Sequence, residues 1–270
     1  MNSIARTFQK QNQQGNAVLI GYIMAGDQTP QQTPEIADAL IRGGVDILEL
    51  GLPFSDPIAD GPTIQAASIR ALTSNTTPMN VLRIAKQIKQ KHNDVPIVIM
   101  TYFNPVFKIG LNFFCKTAKE SQVDGFIIPD LPVEEAEEFK KTAEIYKIDT
   151  IFLAAPSTSN ERLPKIVAAC SGFLYLISHF GVTGAKSNVE DSTIQLIKRV
   201  KPFTNGIVPL AVGFGISKPE HIRRIIAAGA DATIVGSSFI KIIQENTKTM
   251  LKDLQSAARK FKDATKIIDS

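Results

Sequence analysis

Two carboxylates on either side of a proline-rich stretch are the residues best suited to do chemistry. Glu49 ends a short apolar run, and Asp60 follows in a loop that contains Pro53 and Pro57 and ends at Pro62. Each proline fixes its own φ and restricts the residue before it, so this loop is built to hold one shape. Two carboxylates near one cavity are the usual equipment for general acid and general base catalysis. The residue types alone leave a second interpretation open, a strand end followed by a solvated acidic loop.

The composition and charge narrow the class of protein. The chain has 270 residues, of which 44% are hydrophobic, and this suits one large domain or two small ones. The net charge of +4 comes from scattered lysines and arginines, and the densest basic stretch, 252–266, has the spacing of a solvated helix face. Nucleic-acid-binding proteins usually concentrate basic and aromatic residues on one face, so we expect no nucleic-acid partner.

The cysteine, histidine and apolar patterns bear on metals and compartment. Cys115 and Cys170 lie far apart without CxxC spacing, which predicts buried thiols in a reducing compartment. The three histidines form no metal-binding pattern. No segment approaches the ~20 apolar residues of a membrane span, and residues 1–16 lack the apolar core of a signal peptide. We expect a soluble protein without a membrane partner. The abundance of Ile, Lys and Asn is typical of an AT-rich genome, which predicts the cytoplasm of a bacterium or, for a plastid-encoded chain, the chloroplast stroma.

Strand-like and helix-like patterns alternate along the whole chain. Short, almost continuously apolar runs are typical of parallel strands that are covered on both faces. These runs are 17–24, 45–50, 95–101, 125–128, 149–153, 173–177, 207–212 and 232–235. Amphipathic stretches with i, i+3, i+4 apolar spacing predict helices. They are 34–42, 79–91, 113–121, 133–146, 160–169, 192–200, 219–228 and 238–261.

This alternation predicts an α/β protein with the (β/α)8 fold of a TIM barrel. Ile4 and Phe8 lie one turn apart and predict an extra N-terminal helix. No composition shift marks a domain boundary, so we expect residues 1–270 to form a single TIM-barrel domain. A doubly wound open sheet is the alternative, but no GxGxxG sequence follows the first predicted strand.

In such a barrel, functional residues gather at the C-terminal ends of the strands. Glu49 shares a strand face with Ile47 and Val45, so if that face is the lumen, Glu49 lies at its rim. An apolar surrounding would disfavour the ionised carboxylate and raise its pKa toward neutrality. Such a pKa suits a group that shuttles protons.

Three glycine-containing segments follow consecutive predicted strands. Residues 181–184 read Gly-Val-Thr-Gly, residues 213–215 read Gly-Phe-Gly, and Gly236-Ser237 opens a predicted helix. Glycine lets backbone N–H groups approach an anion closely, and a helix N-terminus adds the positive end of its dipole. Each segment alone is typical of a tight turn, but barrels commonly bind phosphate at the loops after strands seven and eight. Together with the two carboxylates, they favour an enzyme that acts on a phosphorylated small molecule by proton transfer.

The stretch 49–62, Glu-Leu-Gly-Leu-Pro-Phe-Ser-Asp-Pro-Ile-Ala-Asp-Gly-Pro, closely resembles the signature of the tryptophan synthase alpha subunits. Further pieces match in the family's order over nearly the whole chain. They are Met24-Ala-Gly-Asp27, Thr101-Tyr-Phe-Asn-Pro105, Pro129-Asp-Leu-Pro132, Gly181-Val-Thr-Gly184, Gly213-Phe-Gly-Ile-Ser217 and Gly236-Ser237. The resemblance implies a TIM-barrel lyase that cleaves indole-3-glycerol phosphate to indole and glyceraldehyde 3-phosphate in L-tryptophan biosynthesis, without a cofactor in this chain.

The resemblance also implies roles for individual residues. Glu49 would carry the proton between the glycerol hydroxyl and indole C3, and Asp60 would accept or stabilise the indole N–H. The implied substrate-binding residues are Tyr22, Tyr102 and Tyr175 on the pocket wall, Met100 against the indole ring, Gly184, Gly215, Gly236 and Ser237 around the phosphate, and Thr183 in a loop that closes over Asp60. The family passes indole to a beta subunit that holds pyridoxal phosphate, in a complex of two alpha and two beta chains. Asp56 would lie in the loop that faces this partner.

Departures from the family's usual residues leave some points open. His179 and Phe180 stand where many members have Arg or small residues, Tyr22 stands where Phe is frequent, and Met100 where Leu is frequent.

A free-standing lyase and a non-catalytic subunit that only activates a partner are the alternative functions. The presence of both Glu49 and Asp60 disfavours the second alternative. Other phosphate-binding barrels of tryptophan or histidine biosynthesis lack this pair and would show a catalytic Lys or Cys at strand ends.

Overall fold

The computed structural model describes residues 2–178, 186–213 and 215–267, in which strands and helices alternate. The strands are β1 (Val18–Met24), β2 (Ile47–Gly51), β3 (Ile97–Met100), β4 (Gly125–Ile127), β5 (Asp149–Ile151), β6 (Leu153–Ala154), β7 (Leu174–Ile177), β8 (Leu210–Gly213) and β9 (Ala232–Val235). The helices are α1 (Ser3–Gln13), α2 (Thr33–Arg42), α3 (Pro62–Thr73), α4 (Pro78–Lys91), α5 (Phe103–Ile109), α6 (Leu111–Glu120), α7 (Glu137–Ile145), α8 (Leu163–Ala169), α9 (Lys186–Thr204), α10 (Pro219–Ala227), α11 (Ser237–Glu245) and α12 (Met250–Asp263).

The strands form one parallel sheet that curves into a barrel. Its order is β5-β4-β3-β2-β1-β9-β8-β7-β6, and its two ends, β5 and β6, are separated in the chain by Phe152 alone. The carbonyl of Phe152 accepts a hydrogen bond from Tyr175 N at 3.0 Å, so the ring of strands is continuous through this residue. β5 and β6 are therefore two halves of one barrel strand, and the predicted (β/α)8 barrel is confirmed.

The barrel lumen is filled by branched side chains and is covered at one end by α1. Ile47 and Val98 belong to the lumen cluster, and Ile4 and Phe8 of α1 pack into the same cluster. The rings of Phe8 and Phe173 lie 6.2 Å apart between centroids. The extra N-terminal helix thus covers the end of the barrel where the strands begin. A cavity opens at the opposite end, where the strands finish.

Carboxylates in the turns before the strands fix neighbouring strands to one another. Asp46, just before β2, accepts a hydrogen bond from Leu19 N of β1 at 2.8 Å. Asp124, before β4, accepts one from Ile97 N at 2.8 Å. Asp231, before β9, accepts one from Leu210 N at 2.7 Å. Each bond satisfies a backbone donor at the start of a strand.

Several predicted element boundaries are wrong for identifiable reasons. The predicted helix 238–261 is two helices, because Asn246 adopts a left-handed conformation with φ 45° and ends α11. The predicted strand 207–212 begins only at Leu210, and Ile207 is 68% exposed. Helix α3 was not predicted, because it buries the small residues Ala67, Ser68 and Ala71 and therefore lacks a clear apolar face.

No helix in the described part of the chain is both long enough and apolar enough to cross a membrane. Among the same residues, no cluster of three or more His, Cys, Asp or Glu side chains is arranged to hold a metal ion.

Candidate active site

A cavity of about 410 Å³ opens at the C-terminal ends of the barrel strands. The strands contribute Tyr22 from β1, Glu49 from β2, Met100 from β3, Tyr175 from β7 and Ile234 from β9. Because side chains two apart on a strand share a face, Glu49 follows Ile47 along the lumen and reaches its rim. The sequence-predicted position of Glu49 at the end of the lumen face is therefore its position in the structure.

Glu49 is a buried carboxyl group without a polar partner. Its side chain is inaccessible to solvent, and neither carboxyl oxygen has a hydrogen bond within the described residues. Burial raises the pKa of Glu49 to about 8, and the negative charge of Asp60 adds to the rise. At neutral pH the group is therefore mostly protonated and can donate a proton to a molecule in the cavity.

Asp60 reaches the cavity from the loop between β2 and α3. Burial raises the pKa of its carboxyl, and hydrogen bonding to the Tyr102 hydroxyl works in the opposite direction by favouring the ionised form. The same hydroxyl accepts a hydrogen bond from Ala59 N at 3.0 Å. Tyr102 thus holds the loop beside Asp60, and its ring lies 5.3 Å from that of Phe54. It stands behind the acidic loop and is not among the residues that line the cavity.

Tyr22 and Tyr175 form buried aromatic walls of the cavity. Burial, followed by the nearby carboxylates, raises the pKa of both phenols well above the ordinary value, so both stay neutral. Glycines make room for these rings. A Cβ on Gly236 would lie 3.1 Å from Cδ1 of Tyr22, and one on Gly213 would lie 2.5 Å from the Tyr175 hydroxyl oxygen. The Tyr22 hydroxyl makes a weak contact with Sδ of Met24 at 4.0 Å.

The glycine-rich segments follow β8 and β9, and β9 is separated from β2 in the sheet by β1 alone. Gly215, Gly236 and Ser237 all line it, and Gly236 directly precedes α11. Gly215 adopts φ 71°, a conformation that few other residues adopt without strain. The first turn of α11 contains no acidic side chain, so the positive end of its dipole is not offset by its own residues. Ser238 links the two segments by donating a hydrogen bond to the Ile216 carbonyl at 3.2 Å.

The remaining predicted residues are placed differently. Asp56 is exposed on the outer side of the acidic loop. Thr183 and Gly184, together with His179 and Phe180, lie outside the described residues. The sequence reasoning missed cavity residues Thr63, Ile64, His221, Ile234 and Lys241. The spacing in the sequence could have predicted two of these. Ile234 lies on β9, two residues before Gly236, and Lys241 lies one turn after Ser237 on α11.

A second cavity of about 340 Å³ lies at the opposite end of the barrel, between α1 and the turn before β8. Among the residues that the structure describes, its lining contains one acidic side chain, that of Asp231, which is paired with Lys201 at 2.7 Å. In the described part of the chain this cavity therefore offers no unpaired acid, in contrast to the cavity beside Glu49.

The fold and this cavity define a (β/α)8-barrel protein with its site at the C-terminal strand ends, where barrel enzymes carry out their chemistry. The chain belongs to the tryptophan synthase alpha chain family, a family of lyases, because the family's model matches residues 8–266.

Curated relatives and solved structures agree with this placement. The tryptophan synthase alpha chain of Methanosarcina acetivorans is 46% identical over 259 residues, covering 96% of this chain and 92% of that protein. The crystal structure of tryptophan synthase subunit alpha from Legionella pneumophila is 34% identical with a TM-score of 0.87, and the match covers 99% of this chain and 100% of that one. A chain of the tryptophan synthase α2β2 complex from Pyrococcus furiosus is 40% identical with a TM-score of 0.85, over 92% of this chain and 98% of that one.

Proposed function

We propose that this chain cleaves indole-3-glycerol phosphate into indole and glyceraldehyde 3-phosphate. The observation that carries the proposal is Glu49, a fully buried carboxyl group on the cavity wall whose oxygens have no partner in the described residues. An unpaired buried acid costs stability and is retained where a reaction uses it. The membership of this chain in the tryptophan synthase alpha chain family supports the choice of reaction.

Glu49 moves one proton between two positions on the substrate. In its protonated form it donates the proton to C3 of the indole ring, which leaves the ring nitrogen positively charged. The resulting carboxylate then takes the proton of the glycerol hydroxyl on the carbon attached to C3. The oxygen electron pair forms the aldehyde, the carbon–carbon bond breaks, and its electrons restore the aromatic ring. Glu49 ends in its starting state, and no other reactant is consumed.

Asp60 stabilises the positive charge on the ring nitrogen while C3 is protonated. A carboxylate at this position interacts more strongly with the charged intermediate than with the neutral substrate, and such a difference lowers the barrier. The loop position of Asp60 at the cavity, with its backbone neighbour Ala59 bonded to Tyr102, supports this role.

The residues that line the cavity suit the two ends of this substrate. Tyr22, Tyr175 and Met100 offer an apolar wall to the indole ring. Gly215, Gly236 and Ser237, at the start of α11, offer backbone N–H groups and a helix dipole to the phosphate. We include Thr183 and Gly184 in the site on the family resemblance alone.

We further propose that the chain works with a tryptophan synthase beta subunit in an assembly of two alpha and two beta chains. A solved relative from Pyrococcus furiosus is described as an α2β2 complex with mutual activation. The exposed Asp56 and the exposed Ile58, in the loop that carries Asp60, form the proposed contact. In this proposal the beta subunit holds the pyridoxal phosphate that acts on the indole passed to it. The proton transfers assigned to Glu49 need no pyridoxal phosphate.

The test is to mix the purified chain with indole-3-glycerol phosphate and to follow indole and glyceraldehyde 3-phosphate, with and without a beta subunit. We expect slow release of both products by the chain alone and faster release in the complex. Full activity alone, with no complex at tens of micromolar, would favour a free-standing lyase. No product in either condition, from protein that binds glycerol 3-phosphate, would refute the proposed reaction.

A further inference from the structure

The loop that carries Asp60 is held in place by α3, the helix that follows it. Ser68 of α3 is buried, accepts a hydrogen bond from Phe54 N at 3.0 Å and donates one to the Phe54 carbonyl at 2.9 Å. Gln65, one turn earlier on the same helix, donates to the Asp60 carbonyl at 2.8 Å. The backbone of the acidic loop is thus bonded to α3 near its start and at Asp60 itself. Any shift of α3 moves the loop with it.

An ion pair fixes α3 to the end of strand β1. Arg70 of α3 donates from Nε to Oδ1 of Asp27 at 2.6 Å and from Nη2 to Oδ2 at 3.0 Å. The Asp27 side chain is fully buried and that of Arg70 is 26% exposed. Two parallel bonds between planar groups fix orientation as well as distance. The pair therefore constrains both the position and the rotation of α3 on the barrel.

The residue after Asp27 connects the same turn to two helices at the cavity. The Gln28 carbonyl accepts a hydrogen bond from Ser74 Oγ, just after α3, at 2.7 Å. Its side-chain amide donates to the Ile243 carbonyl of α11 at 3.0 Å. The turn after β1 thus joins α3, which is bonded to the Asp60 loop, to α11, whose first residues also line the cavity.

We propose that Asp27 and Arg70 are positioning residues that set the place of Asp60 relative to the start of α11, and hence relative to a substrate held there. The inference rests on the proposed role of Asp60. A buried ion pair is weak evidence for stability, because desolvation offsets much of its attraction. Its value here is geometric, since the pair orients a helix that is hydrogen-bonded to the loop of Asp60.

The chain offers a matched control for this pair. Lys89 and Asp124 form an ion pair at 2.7 Å with side chains 3% and 17% exposed, at the end of the barrel where the strands begin. Lys89→Met therefore removes a buried ion pair without touching the acidic loop. It separates loss of stability from loss of positioning.

We expect Arg70→Met to lower kcat about tenfold or more, as small displacements of a catalytic group do, with little change in glycerol 3-phosphate affinity. Arg70→Lys, which keeps the charge but cannot form both bonds, should lose less. Lys89→Met should lower the melting temperature comparably and leave kcat near that of the wild type. In an Asp60→Asn background, Arg70→Met should lower kcat no further, because the group that it positions is already absent.

Hydrogen exchange supplies a readout that does not depend on activity. Peptides that span residues 52–61 should exchange faster in Arg70→Met, Arg70→Lys and Asp27→Asn than in the wild type, and should be unchanged in Lys89→Met. Unchanged exchange in this loop, or an equal further loss of kcat in the Asp60→Asn background, would overturn the proposal. If Arg70→Met fails to fold, Arg70→Lys gives the same comparison. A wild-type chain that does not cleave the substrate would refute the proposed function and leave the exchange result to decide on the positioning.

Discussion

Glu49 is a residue at which the chain departs from what stability alone favours. Its carboxyl group is fully buried, and its two oxygens have no hydrogen-bond partner among the described residues, so the group sacrifices hydrogen bonds that water would supply. The nearby carboxylate of Asp60 adds repulsion whenever both groups are ionised. These costs push the pKa values of two neighbouring acids upward from different starting environments, which is the pattern of an acid–base pair.

The raised pKa of Glu49 predicts how stability depends on pH. The group has a pKa of about 8 in the folded chain and about 4.5 without the burial. Between these values the unfolded state binds fewer protons than the folded state, so the free energy of unfolding falls as the pH rises. The contribution of Glu49 to the free energy of unfolding is fully present below about pH 4.5 and is lost as the pH rises through about 8. Its size is on the order of a few kcal/mol.

Glu49→Gln removes this titration and supplies the comparison. We expect the free energy of unfolding of the wild type minus that of Glu49→Gln to decrease steadily between those pH values in urea titrations. Asp149, whose pKa burial raises to about 6, is present in both proteins and its effect cancels. A difference that is independent of pH would show that Glu49 is ionised in the folded chain.

Asp60 should act on the transition state more than on binding. We expect Asp60→Asn to lower kcat about a hundredfold, the scale of a single electrostatic group in a closed site, while KM changes by less. Steady-state kinetics with indole-3-glycerol phosphate separate the two. A variant with altered KM and unchanged kcat would mean that the carboxylate binds the ground state instead.

The sequence could predict which way a side chain points where the residue lies on a strand. Glu49 lies two residues after Ile47, so its face followed from period two. Tyr102 could not be assigned in this way, because it lies beyond the end of β3 and its contacts depend on the course of the acidic loop. Its position beside Asp60 depends on tertiary contacts, which no local sequence pattern encodes.

At the scale of elements, the apolar strands and amphipathic helices were predictable and the irregular connections were not. α3 escaped prediction because its buried face uses Ala and Ser while Ile69 is 65% exposed. The break between α11 and α12 depends on one left-handed residue, Asn246. Both elements matter for the proposed function, since α3 is bonded to the acidic loop and α11 begins at the cavity.

A substitution in the turn after β8 should weaken binding of the phosphate end of the substrate and leave binding of its indole end nearly unchanged. Gly215→Val places a branched side chain at φ 71° beside the start of α11. We expect calorimetry to show at least about tenfold weaker glycerol 3-phosphate binding, or about 1.4 kcal/mol, with indole affinity nearly unchanged. Substitution at Gly236 is less selective, because a Cβ there would press on the ring of Tyr22.

Gly206 is the control for backbone strain in this experiment. It has nearly the same conformation, φ 72°, lies in the turn before β8 at the other end of the barrel and has open space around it. Gly206→Val should lower stability to a similar extent and leave glycerol 3-phosphate binding unchanged. Equal losses of binding in both variants would indicate general destabilisation and argue against a phosphate site at Gly215.

At the scale of the whole molecule, the two ends of the barrel have separate tasks. α1 covers the end where the strands begin, and the turn carboxylates Asp46, Asp124 and Asp231 bind strand to strand there. The other end holds the cavity and the exposed acidic loop. This division allows the loops of the functional end to vary while the barrel keeps its shape.

The proposed partner predicts a reciprocal coupling between subunits. We expect Asp56→Ala to weaken activation by a beta subunit about tenfold, at the lower end of allosteric couplings, and to leave cleavage by the chain alone unchanged. Glycerol 3-phosphate bound to this chain should tighten binding of the beta subunit by the factor by which the beta subunit tightens glycerol 3-phosphate binding. Titration calorimetry with and without glycerol 3-phosphate measures both. Unequal factors would mean that the two binding events are not the only linked equilibria.

The most direct test of the account is the turnover of Glu49→Gln with indole-3-glycerol phosphate. Gln has nearly the same shape as Glu but cannot donate and retrieve the proton, so indole release should fall about 10²- to 10⁴-fold. The melting temperature and the affinity for glycerol 3-phosphate should be retained, which shows that the cavity is intact. Turnover near that of the wild type, in a folded Glu49→Gln chain, would contradict the central role given to Glu49.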